Sequence, residues 1–147
     1  MATLGKKLLL KTLPLWIERE IDPIKQDNMK ATGSQLIERE DGHISWEEEA
    51  ENIFNRYRAF QPWPGIFGFW ENNGQLQRIK FLKIKLEKSD PETKHDVGEI
   101  FELGDQIGVQ TLKGVIVLEE IQSEGKSPAR AKDFTNGYKN FIGSILK

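Results

Sequence analysis

The sequence predicts a mainly β protein of the α+β class, a small antiparallel barrel preceded by a capped helix and an N-terminal helical arm. Three observations carry this. Residues 66–121 hold five short strand-patterned stretches with turn signals between them, a spacing that favours an antiparallel barrel over a βαβ sheet. Just ahead lies an amphipathic helical stretch that Pro62 and Pro64 terminate. Ahead of that, a Leu-rich helix is set apart by a segment with no hydrophobic period.

Taken in order, Leu4, Leu8, Leu9, Thr12, Leu13 and Trp16 recur at helical spacing with Lys6, Lys7 and Lys11 opposite, so Leu4–Glu18 is expected to be an amphipathic helix. Pro14 inside it costs about 3 kcal/mol unless the helix kinks or restarts there. Ile21–Asp41 contains Pro23, Gly33 and many polar residues, and a structureless stretch of roughly 20 residues is uncommon within one compact domain. The expected organisation is therefore an arm over 1–20, a linker or strap over 21–41 and a domain over 42–147.

Ser45-Trp46-Glu47-Glu48 has the form of a capping box. Trp46, Ala50, Ile53, Phe54, Tyr57 and Phe60 then share one helical face, with Arg56 and Arg58 at the C-terminal end where the helix dipole favours cations. Ile66–Trp70 and Leu76–Leu86 flank Glu71-Asn72-Asn73-Gly74, a hairpin signal with Asn-Gly at its turn. Gly98–Leu103, Ile107–Leu112 and Val115–Ile121 complete the strands, Ser123–Arg130 is expected to be a loop, and a short helix is expected over Ala131–Asn136.

Composition narrows the function classes. The 147 residues are 37% hydrophobic and 10% aromatic, enough burial to exclude disorder. No apolar run approaches the roughly 20 residues of a membrane span, and the N-terminus has no small-residue cleavage site, so a cytoplasmic protein with no membrane partner is expected. Cysteine is absent, which removes disulfides, thiol catalysis and thiolate metal sites. With only His43 and His95 as imidazoles, no metal is expected. The net charge of −2 argues against nucleic acid, yet it is uneven, with an acidic excess before residue 50 and a slight basic excess after it.

The stretch Arg78-Ile79-Lys80-Phe81-Leu82-Lys83-Ile84-Lys85-Leu86 changes parity. Its cations fall on even numbers before Phe81 and on odd numbers after Leu82. One β-bulge near Phe81-Leu82 would gather Arg78, Lys80, Lys83 and Lys85 on a single face over Ile79, Phe81, Leu82 or Ile84, and Leu86. Such a face can track a phosphate backbone; lysines that only decorate a wet strand face and blunt an edge are the plainer alternative. Trp63, Phe67, Phe69 and Trp70 could stack bases, although core positions are the more ordinary use. Gly125-Lys126-Ser127 lacks the first glycine of a phosphate-binding loop and no long helix follows, so that motif is rejected. No catalytic constellation is present.

Five stretches together carry a family signature: Asp41-Gly42-His43-Ile44-Ser45-Trp46, Arg58-Ala59-Phe60-Gln61-Pro62-Trp63-Pro64-Gly65, Gly98-Glu99-Ile100, Gln122-Ser123-Glu124-Gly125-Lys126 and Phe134-Thr135-Asn136-Gly137. In this order and spacing they resemble the C-terminal domain of bacterial methionyl-tRNA formyltransferases, the second stretch most specifically. The resemblance covers nearly the whole chain, with Leu4–Ile24 similar to the last helix of the family's N-terminal domain. It implies an open OB-like barrel that helps to bind initiator methionyl-tRNA. It also implies a separate catalytic domain, docked through the Leu4–Glu18 arm, which holds 10-formyltetrahydrofolate. This chain has no match to that domain's Asn-x-His motif, so it is expected to be inactive alone and to hold no cofactor.

Carried over by position, Arg58 and Lys126 match basic family positions, and Arg78, Lys80, Lys83 and Lys85 match a lysine-containing strand. With Arg130 and Lys132 these are the expected tRNA-facing residues. Leu36, Ser127 and Ala129 depart from the family's usual residues, and Ser45 replaces a usual Asp. Relatives acting on sugar nucleotides, or a non-catalytic interaction module, are the alternatives. The sugar-nucleotide relatives should not need a basic strand face.

Overall fold

The computed structural model describes residues 2–87 and 95–147. It divides into two compact units, 1–35 and 36–147.

In the first unit, α1 spans Ala2–Ile17 and continues through Pro14. Pro14 sits near the C-terminal end, where its own carbonyl still accepts from the Glu18 N–H at 3.0 Å. No residue of α1 is buried, and Leu4, Leu8, Leu9 and Trp16 are all more than half exposed. Beyond it come a turn at Glu18–Arg19 and irregular chain broken by a 3-10 turn over Asn28–Lys30, whose Asp27 side chain accepts from the Met29 N–H at 3.0 Å.

The second unit is a curled antiparallel sheet with helices packed around it. α2 covers Ala50–Ala59, and the strands are β1 (Ile66–Asn72), β2 (Gln75–Leu86), β3 (Ile100–Leu103), β4 (Gln106–Gln110), β5 (Val115–Ser123) and β6 (Ala129–Arg130), followed by α3 (Ala131–Gly137). The order β1-β2-β5-β4-β3, with β6 beside β5, makes the OB-like half-barrel. Asn73 (φ 51°) and Gly74 (φ 78°) form the β1–β2 turn, the left-handed pair that a two-residue hairpin requires.

α2 buries Ala50 and Ile53 and leans Phe54, Tyr57 and Phe60 on the core, the predicted face. Its start differs from the sequence expectation. The Ser45 hydroxyl accepts from Glu47 N–H rather than from Glu48, and the helix begins at Ala50 without a side-chain cap. The reason is tertiary. Backbone groups of Trp46, Glu48 and Ala50 bond to Leu112 and Lys113 of the β4–β5 turn, which holds this stretch in a separate turn ahead of the helix. Glu48 instead meets Arg56 at 3.0 Å.

The core centres on Trp70 and Phe141, both 0% exposed, whose rings meet edge to face at 5.0 Å. Phe134 of α3 packs on both rings, at 5.9 and 4.9 Å, and Trp46 meets Phe81 edge to face at 5.4 Å. The C-terminal tail crosses the gap between the two edge strands. Lys147 and Phe69 exchange backbone hydrogen bonds at 2.7 and 2.8 Å, while Ile100 N–H donates to Ser144 and Leu146 N–H to Gly98, both at 2.9 Å. Both edges of the sheet are thereby covered.

Candidate nucleic-acid interface

β2 contains the irregularity that its parity predicts. Ile79, Phe81 and Ile84 are buried, and the register with β5 slips between Phe81 and Lys83 and again before Ile84. Pairs on either side share one register, so β5 bends in step and the core faces of both strands switch together. Arg78, Lys80, Lys83 and Lys85 therefore leave the core on the outer side.

That side is not one uniform row. Phe67 and Phe69 of β1 lie opposite Lys80 and Arg78 in the pairing, so these rings belong to the outer face, whereas Trp70 belongs to the core. The His43 ring stacks on Phe67 at 5.5 Å and meets Phe69 edge-on at 5.2 Å, and a parallel bridge ties His43 to Phe67. The Arg78 guanidinium lies 3.7 Å from the Phe67 ring centre. Its Nε is buried with no hydrogen-bond partner. Arg39, Arg78 and Lys80 converge on a cleft of about 140 Å³ walled by the turn Gln122–Gly125. Among the described residues none of these three cations belongs to an ion pair.

The next pair along the strand is electrostatically different. Lys83 Nζ is 3.0 Å from Glu119 Oε2, and Lys85 engages the other oxygen of the same carboxylate. Hydrogen bonds from Lys85 and Lys83 hold the Glu119 carboxyl below its ordinary range, and Glu119 in turn raises Lys83. Lys83 also lines a shallow groove with Arg130 and Lys132. Lys132 is bound to Asp105 at 2.7 Å, which raises Lys132 and lowers Asp105, and Arg130 lies opposite Glu120 in the backbone register of β6 and β5. Lys126 is exposed beside the Gln122–Gly125 turn, its carbonyl accepting from Gln122. Arg58 is held locally on α2, by Asn55 at 2.6 Å and over Phe54 at 5.6 Å.

The structure thus separates the expected site residues. Arg78 and Lys80 share one cleft with Lys126 beside it; Lys83, Arg130 and Lys132 share a groove interleaved with acids; Arg58 joins neither by any described contact. Arg39 is the residue that sequence reasoning missed. It precedes Gly42-His43-Ile44, where buried Gly42 and Ile44 alternate with exposed His43, a strand-like signal at the end of the presumed strap. No group of His, Asp or Glu among the described residues could hold a metal ion.

An OB-like antiparallel domain with a cationic outer strand face is the class that fold and surface define. The chain belongs to the formyl transferase C-terminal domain family, whose profile matches residues 36–139. It is 41% identical over 147 residues to the methionyl-tRNA formyltransferase of Caldicellulosiruptor saccharolyticus, covering 99% of this chain and 45% of that protein. It is 35% identical to that of Helicobacter pylori, covering 99% and 44%. The chain therefore spans less than half the length of these relatives. A crystal structure of HypX from Aquifex aeolicus in complex with tetrahydrofolic acid superposes with a TM-score of 0.59 over 92% of this chain and 23% of that one. At 15% identity this likeness is one of fold.

Proposed function

We propose that this chain is the tRNA-binding part of a methionyl-tRNA formyltransferase. It holds initiator methionyl-tRNA by its phosphates while a catalytic domain outside this sequence transfers the formyl group. The observation that carries the reading is the outer face of β1 and β2, where Arg39, Arg78 and Lys80 converge beside an aromatic cluster with no ion pair among the described residues. Phosphate contacts fix the register and orientation of a folded RNA without reading its sequence, which suits a domain that presents one tRNA end to a distant site.

10-Formyltetrahydrofolate belongs to the absent domain in this reading. Apart from Gly125, the 140 Å³ cleft is lined by polar and charged residues, a poor wall for a pteridine. The exposed leucines of α1 are the surface that the catalytic domain would cover, in a protein working in the cytoplasm. No helix among the described residues is long and apolar enough to cross a membrane.

Ultraviolet crosslinking to initiator methionyl-tRNA, followed by peptide mapping, tests the face. Crosslinks should fall on the His43 and Phe69 peptides. Crosslinks confined to the arm would overturn the assignment.

A further inference from the structure

The outer face of β2 divides into two pairs of cations with unequal freedom. Lys83 and Lys85 share the Glu119 carboxylate. Arg78 and Lys80 share a cleft with Arg39 and no ion pair among the described residues, with Glu124 as the one acid on its wall. Three cations against one acid leave the cleft with an excess of positive charge. Its volume, about 140 Å³, is well under the roughly 300 Å³ at which small-molecule sites begin, so no nucleoside fits inside. A small anionic group fits both the charge and the size.

Arg78 is also packed against an aromatic ring. Its guanidinium lies on Phe67, its Nε is buried without an acceptor, and its carbonyl accepts from the Glu124 N–H at 3.1 Å. A fork fixed in this way loses little side-chain freedom on meeting a tetrahedral oxyanion, which Arg can engage through two N–H groups. Lysines that must first leave Glu119 start from a less favourable position.

We infer that the Arg39–Arg78–Lys80 cleft is a discrete seat for one backbone phosphate of a bound RNA, with Arg78 as its preorganised fork. This rests on the RNA-binding reading above and refines it. Binding is anchored at one phosphate and supplemented by the weaker, charge-compensated lysines, instead of being shared evenly along β2. Glu124 on the wall keeps the seat from holding anions too tightly.

The test uses the full chain with inorganic phosphate as the probe, followed by amide chemical shifts at low ionic strength. Saturable shifts should be confined to Arg39, Arg78, Lys80 and residues 122–125. Arg39→Gln, at an exposed position that leaves the core untouched, should weaken phosphate and tRNA binding about threefold or more, and Glu124→Gln should strengthen both. Removing the 5′ phosphate from the tRNA should change nothing; a weakening there would reassign the seat to a terminal monophosphate. Unsaturable shifts, or shifts spread evenly to Lys83, Lys85, Arg130 and Lys132, would overturn the seat. If tRNA binds but neither variant alters it, the seat falls and the RNA reading stands. A saturable phosphate site without tRNA binding would keep an anion seat but remove RNA as its ligand.

Discussion

Lys83 reaches across to Glu119 of β5, its ammonium 3.0 Å from the carboxylate. Because Lys85 engages the same side chain, one acid compensates two cations on the face proposed to meet tRNA. Glu119→Gln should therefore raise affinity for initiator methionyl-tRNA by about two- to fivefold at low salt and steepen its salt dependence. Since both lysines are more than half exposed, the stability of the folded state should change little. Anisotropy titrations of the two proteins check this; equal affinities would show that the pair stays closed in the complex.

The same carboxylate sets a pH response. Glu119, Glu71 and Asp105 are lowered by their lysine partners, and Glu99 by the Asp96 N–H and His95. A lowered carboxyl contributes stability that is present above its unfolded value and lost as pH falls through its folded value. The melting temperature should thus decline below about pH 4.5, and Glu119→Gln should make that decline shallower. Lys83 and Lys132 are raised, so their share is complete at neutral pH and lost only above the ordinary lysine range. A melting temperature that rises on acidification would contradict these pairings.

The tail is predicted to contribute strongly to stability. Leu146 is 3% exposed and belongs to the core, so Leu146→Ala should cost about 2–4 kcal/mol in urea unfolding. Gly98 sits at φ 83°, and a Cβ there would lie 2.7 Å from the Leu146 carbonyl oxygen. Gly98→Ala should cost more than Gly104→Ala, which has a positive φ of 59° but open space around it. Equal costs would mean that the tail gives way readily.

The arm should behave in the opposite manner. Leu8→Asp with Leu9→Asp removes two exposed side chains from a helix with no buried residue. Surface changes of this kind leave the unfolding of residues 36–147 within about 0.5 kcal/mol. Light scattering would separately show whether the leucines drive self-association. Loss of domain stability in this variant would contradict an arm that awaits another surface.

Where neighbours along the chain decide the structure, the sequence was legible. Asn73-Gly74 specifies its turn by backbone sterics alone, and the parity switch of Arg78–Lys85 announces the irregularity in β2 because apolar residues must stay on one side. Distant partners decide the rest. Ser45 and Glu48 match a capping box, but Leu112 and Lys113 claim the backbone there, and Glu48 turns to Arg56. The tail has no strand pattern of its own, and its hydrogen bonds come from Phe69, Gly98 and Ile100. On the outer face of the sheet, the cations of β2 were visible one by one. Their inequality was not, since it depends on Glu119 from β5, Phe67 from β1 and Arg39 from the presumed strap.

The most direct test of tRNA binding is an anisotropy titration of the purified chain with initiator methionyl-tRNA and an elongator tRNA, from low to moderate salt. Binding to initiator methionyl-tRNA should weaken steeply with salt, log K falling against log salt with a slope of about 0.9 or less for each phosphate that the protein neutralises. An absence of binding even at the lowest salt, in a chain that is folded, would contradict a phosphate-holding role for the β1–β2 face.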